Sequence, residues 1–453
     1  MTTKKLSEYI VRTRVDDFSD KIVDAAKKIL LDWIGCALGA ADDPSVKAMA
    51  DFLFETGGKR RASIFGSGRK TSVLHAALLN GMMSHVLDFD DANSLVRTHP
   101  SAPLVPALLA IAEGDRRPGM DLIAPLVVGY EVTIRIGLAL CRQYYEAGRH
   151  ATSVLGRFGA AAGVGKLLGL NADRMCRALA LSATQAGGLR DVFGTMAKPF
   201  HAGKAAMDGL LSATLAERGL SAPLDILDET SGFARVFSRE YDPGKITVGL
   251  GGNDHILSNS FKPYAACLLA HPVIDALVEI KREHRLDAAT VAGIHVEVAP
   301  LNMKVAGNPY PRDSTEAKFS IPFGAAVALI RGSANESDFK GPSLQDSAAR
   351  TLMESIRVSV NPSLSETETH ATVVLKDGST FEKHVSTPKG DPLNPLTFEE
   401  VEAKFRGLAE PVIGTARATK IVEMITRLER LNDSARLVRL CCTRGRETDL
   451  FLV

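Results

Sequence analysis

What this sequence lacks excludes several classes of protein. Its 453 residues include six cysteines but no CxxC pair, which argues against zinc ribbons, disulfide scaffolds and locally clustered iron–sulfur ligands. Neither charge sign forms a run of five or six residues, and 54 Lys and Arg balance 53 Asp and Glu, so no nucleic-acid partner is expected. No GxGxxG motif follows a predicted strand, and GAAAGVGK (159–166) lacks phosphate-loop spacing. The glycines therefore support neither a phosphate loop nor a dinucleotide cofactor.

Signals for export or membrane insertion are equally weak. The N-terminal MTTKKLSEYIVRTRVDD is charged from its fourth residue and has no apolar h-region. The longest uncharged run, 71–87, contains two histidines, an asparagine and two serines, and is too short and too polar to span a bilayer. We therefore expect a cytosolic protein without a membrane partner.

The first half of the sequence has helical periodicity. The composition, 45% hydrophobic and 24% charged, is that of a globular protein long enough for two or more domains. Between about residues 5 and 235, apolar residues recur at helical spacing; one such stripe consists of Ile22, Ala25, Ala26, Ile29, Leu30 and Trp33. Alanine and glycine dominate 158–170 and 182–189, where small side chains would let helices approach closely.

The pattern changes after about residue 285. Three stretches alternate like strands: 291–300, 356–362 and 371–385, the last with an Asp-Gly turn. Helical periodicity returns over 396–410, where Thr397 and Glu400 occupy capping-box positions, and again over 419–431.

These patterns together predict a mainly α protein with two domains. A large all-helical domain covers residues 1–264 and is completed by 398–453. A smaller α+β domain, residues 265–397, is inserted into it and falls within the usual size range of a domain. Small-molecule sites are common between domains, so polar residues near the two transitions are candidates for function.

Titratable groups are concentrated in HVLDFDDANSLVRTHP, residues 85–100. One helical turn would bring Asp88 and Asp91 together and leave Asp90 to the side. His99 precedes an apolar helix, and the amides of a helix N-terminus favour an anion such as a carboxylate. Alternatively, the aspartates are caps and the histidines are core groups. The aspartates and His99 are also hard ligands for magnesium, but their spacing matches no specific metal loop, so no metal is predicted.

Two further clusters bring cations together. In GTMAKPFHAGKAAMDG (194–209), Lys198, His201 and Lys204 surround a proline and a glycine, a pattern that suits a carboxylate clamp or, alternatively, a solvated loop. In SFKPYAACLLAH (260–271), Lys262 precedes a proline and a cysteine follows five residues later. Nothing local supplies that cysteine with a base, so it is not predicted to be a nucleophile.

Eight segments, in order along the chain, resemble the MmgE/PrpD family: LLDWIGCALGA, NGMMSHVLDFDDAN, THPSAPLVPALLAIAEG, RHATSVLGRFGAAAGVGKLLGL, MAKPFHAGKAA, FKPYAACLLAH, TEAKFSIPF and GDPLNPLTFEEVEAKF. Members act on small polycarboxylates by dehydration, decarboxylation or epimerisation. The resemblance therefore implies an enzyme without a tightly bound cofactor, with an all-helical domain and an α+β lid, usually as a homodimer. Its chemistry is proton transfer at a carbon next to carboxylates, which needs an acid or base and nearby cations.

The resemblance also implies a set of site residues. Asp88 and His99 match the family's DFDD and HP positions, His150 its HxT/S position, Lys198 its KPxH lysine and Lys262 its KP lysine. His99 is then the principal acid or base, oriented by Asp88. Lys198 and Lys262 bind carboxylates, and His150 is a second proton carrier. Three further residues are expected to contact the substrate: His201, Lys204 and Cys267.

Departures from the family patterns bear on the reaction. Members that decarboxylate cis-aconitate have Thr, His and Tyr where this sequence has Ala92, Cys267 and Phe323. Members that dehydrate 2-methylcitrate have HPSDN where this sequence has HPSAP (99–103) and lack the KPxHAG form. We expect a hydro-lyase that removes water from a hydroxylated di- or tricarboxylate, with an epimerase of an amino- or hydroxy-dicarboxylate such as iminodisuccinate as the alternative. Decarboxylation and a non-enzymatic binding role are the remaining alternatives.

Overall fold

The computed structural model describes residues 1–141, 143–228, 231–252 and 254–443, and helices dominate them. The mainly α class expected from the sequence is confirmed. In chain order, the elements are α1 (Thr2–Arg12), α2 (Asp20–Gly39), α3 (Pro44–Thr56), β1 (Ala62–Ser63), β2 (Lys70–Thr71), α4 (Val73–Val86), α5 (Ser101–Asp115), α6 (Ile123–Ala139), α7 (Gln143–Glu146), α8 (Ala151–Leu167), α9 (Ala172–Ala183), α10 (Ala197–Glu217), α11 (Phe233–Phe237), α12 (Gly244–Thr247), α13 (His271–His284), β3 (Val291–Val298), α14 (Pro300–Ala306), α15 (Ser314–Lys318), α16 (Ile321–Arg331), α17 (Ser347–Glu354), β4 (Ile356–Val360), β5 (Thr369–Leu375), β6 (Thr380–Val385), α18 (Phe398–Ile413), α19 (Thr415–Thr426) and α20 (Ala435–Leu440).

The described chain divides into two compact units. The first comprises Met1–Val86, Asp90–Asn259 and the described residues from Val401 onward. The second comprises Ser260–Glu400 together with the short segment Leu87–Phe89. The sequence pattern placed its transitions at 264/265 and 397/398.

Helix α10 lies at the centre of the first unit and packs against α4, α5, α8 and α9. The apolar stripe that predicted α2 forms the buried face of this helix. Its buried residues are Ile22, Ala26, Ile29, Leu30 and Trp33. The small residues of α8 allow close packing as predicted. A Cβ on Gly159, for example, would lie 2.1 Å from the hydroxyl of Thr133 on α6.

Facing glycines allow the crossing of α4 and α10. A Cβ on Gly203 would lie 2.0 Å from a backbone carbonyl oxygen of α4, and a Cβ on Gly81 would lie 2.9 Å from the Cα of Gly203. Backbones can approach this closely only without side chains between them. The crossing holds the part of α10 that carries Lys198 and His201 near the end of α4, which carries His85.

Replacing Gly203 by alanine is expected to destabilise the protein by about 1–3 kcal/mol, because the added methyl group must displace backbone atoms of α4. The gain in helix propensity, about 1 kcal/mol, offsets only part of that cost. The matched control is Gly407→Ala on α18, where no atom lies within 4 Å of the added Cβ. Urea unfolding should show a loss for Gly203→Ala and none for Gly407→Ala. Equal stability of the two variants would contradict the close crossing.

One stretch of the described residues, Gly119–Ala139, is long and apolar enough to cross a membrane. It includes α6, and 94% of its most apolar window is buried inside the protein. Glu131 and Arg135 on this helix form a buried ion pair, with Nε and Oε2 2.7 Å apart. These are the properties of a core helix.

The second unit is built around a four-stranded sheet in the order β4-β3-β5-β6. Strand β3 pairs in parallel with β4 and antiparallel with β5, which pairs antiparallel with β6. Ile294, Val296 and Val298 of β3 are buried on one face, as the alternation predicts. The predicted Asp377-Gly378 turn joins β5 and β6, and Gly378 has the positive φ, +87°, that such a turn requires. Helix α13 packs against β5 and β6.

The chain returns to the first unit within α18. The predicted capping box is present: Thr397 N donates to Glu400 Oε2 over 2.8 Å, and Glu400 N donates to Thr397 Oγ1 over 3.2 Å. The last predicted helix, over 419–431, begins earlier in the structure, as α19. Helix α19 packs against α2.

Candidate active site

The segment that follows α4 is not helical. Helix α4 ends at Val86, and Asp88 has a φ of +52°, a left-handed conformation that residues other than glycine rarely adopt. The predicted helical turn with Asp88 beside Asp91 is therefore wrong. His99 lies two residues before α5, on a loop at the helix N-terminus, as predicted.

Asp90 lies between two imidazoles. Its Oδ2 is 2.8 Å from Nδ1 of His85 and 3.1 Å from Nδ1 of His99. The two rings meet edge to face, with their centroids 4.6 Å apart. Asp90 and His85 are fully buried, whereas 16% of the His99 side chain is exposed. The carboxylate next to His99 is therefore that of Asp90, whereas the sequence analysis expected Asp88 to orient His99.

Burial and charge set the protonation of this triad of His85, Asp90 and His99. Burial raises the pKa of Asp90, but the two imidazoles outweigh burial and hold that pKa well below its usual range. Burial lowers the pKa of His85 to about 4, although Asp90 acts in the opposite direction. At neutral pH, an ionised Asp90 therefore accepts the Nδ1 hydrogen of a neutral His85. The same carboxylate oxygen favours a proton on Nδ1 of His99, which leaves Nε2 of His99 as the basic nitrogen.

A second pair of histidines lies beside the triad. His150 is the residue before α8 and His201 is in α10, and their Nδ1 atoms are 3.0 Å apart. The His150 ring stacks on His85 with centroids 6.1 Å apart. Burial, helped by the neighbouring cationic groups, lowers the pKa of His150 well below its usual value. Burial and the charge of Arg157 lower the pKa of His201.

Lys198 adds a positive charge to this group. It lies on α10, is buried, and its Nζ is 5.5 Å from the ring centre of Phe193. The charge of Lys198 contributes to the low pKa of both His85 and His150. We refer to six residues together as the histidine cluster: His85, Asp90, His99, His150, Lys198 and His201.

The triad also has the spacing of a cation site, because its three donor atoms lie within 4.8 Å of one another. Both Nδ1 atoms, however, lie beside the same carboxylate oxygen: Nδ1 of His85 is hydrogen-bonded to Asp90 Oδ2, and Nδ1 of His99 lies 3.1 Å from that oxygen. Asp91, another hard ligand considered from the sequence, accepts hydrogen bonds from three groups: Ser101, Tyr130 and Asn259. The arrangement therefore resembles an acid–base group more than an open ligand sphere.

Asp88 and Lys262 meet in the second unit. The Nζ of Lys262 is 2.7 Å from the carbonyl oxygen of Asp88 and 3.4 Å from its Oδ2. Lys318 Nζ donates to the carbonyl oxygen of Leu87 and pairs with Glu336 at 2.8 Å. Both lysines are buried and hold the segment that carries Asp88. The carboxylate-binding role of Lys262 stays a prediction.

Lys204 and Cys267, which the sequence analysis expected to contact the substrate, both have partners within the protein. Lys204 is paired with Asp208 one turn further along α10, and Asp208 Oδ2 also lies 3.3 Å from Nη1 of Arg157. Cys267 is buried, and its backbone N–H donates to the carbonyl oxygen of Lys318 over 2.8 Å. Contact of Lys204 and Cys267 with a substrate stays a prediction.

Comparison with known families decides the relationship. The model of the MmgE/PrpD N-terminal domain matches residues 4–245, and the model of the C-terminal domain matches residues 264–430. The chain belongs to the MmgE/PrpD family. The resemblance carried by the sequence motifs is thereby confirmed.

Curated relatives align with this MmgE/PrpD protein over nearly its whole length. Human cis-aconitate decarboxylase is 27% identical over 455 residues, which cover 97% of this chain and 94% of the human protein. The cis-aconitate decarboxylase of Aspergillus terreus is 28% identical over 471 residues, with 97% and 95% covered. A cis-aconitate decarboxylase-like protein of Aspergillus oryzae is 29% identical over 468 residues, with 97% and 96% covered.

Sequence reasoning missed three residues of this MmgE/PrpD protein that the structure makes prominent. Asp90 and His85 both lie in the stretch that drew attention for its charge, but a helical turn there pointed to the wrong aspartate. Lys318 lies in the TEAKFSIPF motif, and nothing in the neighbouring sequence indicates that it is buried beside Glu336. Lys318 reaches Leu87 only through the long-range fold, whereas Asp90 reaches His85 and His99 through the local backbone that follows α4.

Proposed function

We propose that this protein is a lyase that transfers a proton at a carbon next to a carboxylate of a small di- or tricarboxylate. We further propose that it eliminates water from a hydroxylated substrate, without a tightly bound cofactor. The observation that carries the proposal is the triad, in which a buried, ionised carboxylate lies 2.8 and 3.1 Å from two imidazole Nδ1 atoms. This geometry favours a basic Nε2 on the partly exposed His99.

Elimination of water needs a base, a positive charge and an acid. His99 takes the proton from carbon, and Asp90 stabilises the imidazolium that forms. Lys198 supplies positive charge for the electrons that collect on the substrate carboxylate. His150 returns a proton to the departing hydroxide. One C–H and one C–O bond are thus replaced by a C=C bond and water.

The relatives support the substrate class, and the departures from their sequence pattern decide which reaction we propose first. Cis-aconitate, which gives the relatives their names, is a tricarboxylate, and identities of 27–29% make loss of CO2 the second candidate. We place elimination of water first because Ala92, Cys267 and Phe323 depart from the decarboxylase pattern. Epimerisation would draw on the two separate proton carriers, His99 and His150.

The test is proton NMR of the purified protein with citrate, 2-methylcitrate, cis-aconitate, malate, tartrate and iminodisuccinate. A new vinylic signal from a hydroxy acid is the expected result. Itaconate and bicarbonate from cis-aconitate would instead establish decarboxylation. Conversion between stereoisomers, without a new vinylic signal or release of CO2, would establish epimerisation. No reaction with any of these compounds would contradict the proposal.

A further inference from the structure

The pair of His150 and His201 reaches from the buried centre of the histidine cluster towards its edge. His150 is 2% exposed, whereas His201 is half-buried. We propose that His201 is a proton relay, which exchanges the proton of His150 with solvent between turnovers. The inference rests on the proposed function and gives His201 a role other than the substrate contact that the sequence suggests.

The contact between the rings determines which nitrogens can exchange protons. Because the Nδ1 atoms are 3.0 Å apart, one of them carries a hydrogen and donates it while the other accepts. Each ring therefore keeps its Nε2 for a second partner. The arrangement is a chain from one Nε2, through two Nδ1 atoms, to the other Nε2.

The surrounding charges favour one shared proton between the rings. Arg157 faces His201, while Lys198 faces His150. The carboxylate of Asp208 is occupied by Arg157 and Lys204. A pair that carried two extra protons would place two imidazolium ions among these cations, whereas a shared proton moves without that cost.

The relay conserves protons at every step. After product leaves, water that enters the site gives a proton to Nε2 of His150, the Nδ1 proton of His150 passes to Nδ1 of His201, and Nε2 of His201 releases its proton to solvent. When His150 returns a proton to the departing hydroxide, water protonates His201 and the Nδ1 proton moves back. No group other than solvent water is needed.

Two variants separate a relay from a purely structural role. His201→Gln keeps a side chain that can hydrogen-bond Nδ1 of His150 but cannot carry a proton. We expect it to lower kcat for the loss of water about tenfold to a hundredfold, with an unchanged KM. His201→Ala leaves space at a half-buried position, and added imidazole should restore at least part of its kcat.

The control is His75→Gln, a half-buried histidine of α4 outside the histidine cluster, which should have the kcat of the wild type. The relay is overturned by a wild-type kcat in His201→Gln, whether or not KM is raised, or by no response of His201→Ala to imidazole. Inactivity of the wild-type protein would instead overturn the proposed function. The two failures are therefore distinguishable.

Discussion

Replacing Asp90 by asparagine is expected to lower kcat by about a thousandfold to ten-thousandfold, because the largest effect of this kind, about ten-thousandfold, is seen when a carboxylate that fixes the tautomer of a catalytic histidine loses its charge. The amide keeps the shape of the side chain. It cannot hold a proton on Nδ1 of both His85 and His99, and it does not stabilise the imidazolium that His99 becomes. KM should change much less than kcat, because Asp90 is fully buried and is expected to act through His99.

The control for this variant is another buried carboxylate of the first unit. Asp32 pairs with Lys404, with Oδ1 and Nζ 2.6 Å apart. Asp32→Asn should lower the melting temperature and leave kcat near the wild-type value. Steady-state kinetics and thermal unfolding of the two variants would check the contrast. A kcat of Asp90→Asn within threefold of the wild type would refute the role of the triad.

Acidification between about pH 6.5 and pH 4 is expected to destabilise the protein through His85. Burial lowers the pKa of His85 from 6.5 to about 4, so in this interval the unfolded chain binds a proton that the folded chain excludes. The free energy of unfolding therefore falls as the pH falls, by about 3 kcal/mol from His85 alone. The lowered pKa values of His150 and His201 act in the same direction, whereas the pKa of Asp32, which burial raises to about 6, acts in the opposite direction.

Urea unfolding at a series of pH values measures this effect. His85→Gln removes the titrating group, so its midpoint should depend less on pH over the interval, whatever its stability at pH 7. His75→Gln, outside the histidine cluster, should keep the wild-type slope. An identical slope in His85→Gln and wild type would show that His85 is not the neutral buried group described here.

The regular elements were predictable because their burial follows their period. The apolar stripe of α2 and the alternation of apolar and polar residues in β3 can each be recognised from a few residues. The Asp-Gly turn and the capping box depend only on local contacts, so the residues at those positions are enough to predict them. These features needed no knowledge of distant parts of the chain.

The sequence motifs identified some residues of the candidate site but not its pairings. The motifs pointed to His99, His150 and Lys198, which all belong to the histidine cluster. The choice of Asp90 at His99 depends on the left-handed backbone at Asp88, which no periodicity indicates. The contact of His150 with His201 joins residues 51 positions apart and depends on how the helices that carry them pack.

Exchange of substrate hydrogen with D2O tests the central claim most directly. The wild-type protein and His99→Gln would be compared by proton NMR, each with the hydroxy acid that reacts fastest. The account predicts that the wild type exchanges the C–H next to a carboxylate during turnover and that His99→Gln exchanges it at least a hundredfold more slowly. Equal exchange by the two proteins would contradict the assignment of the base to His99.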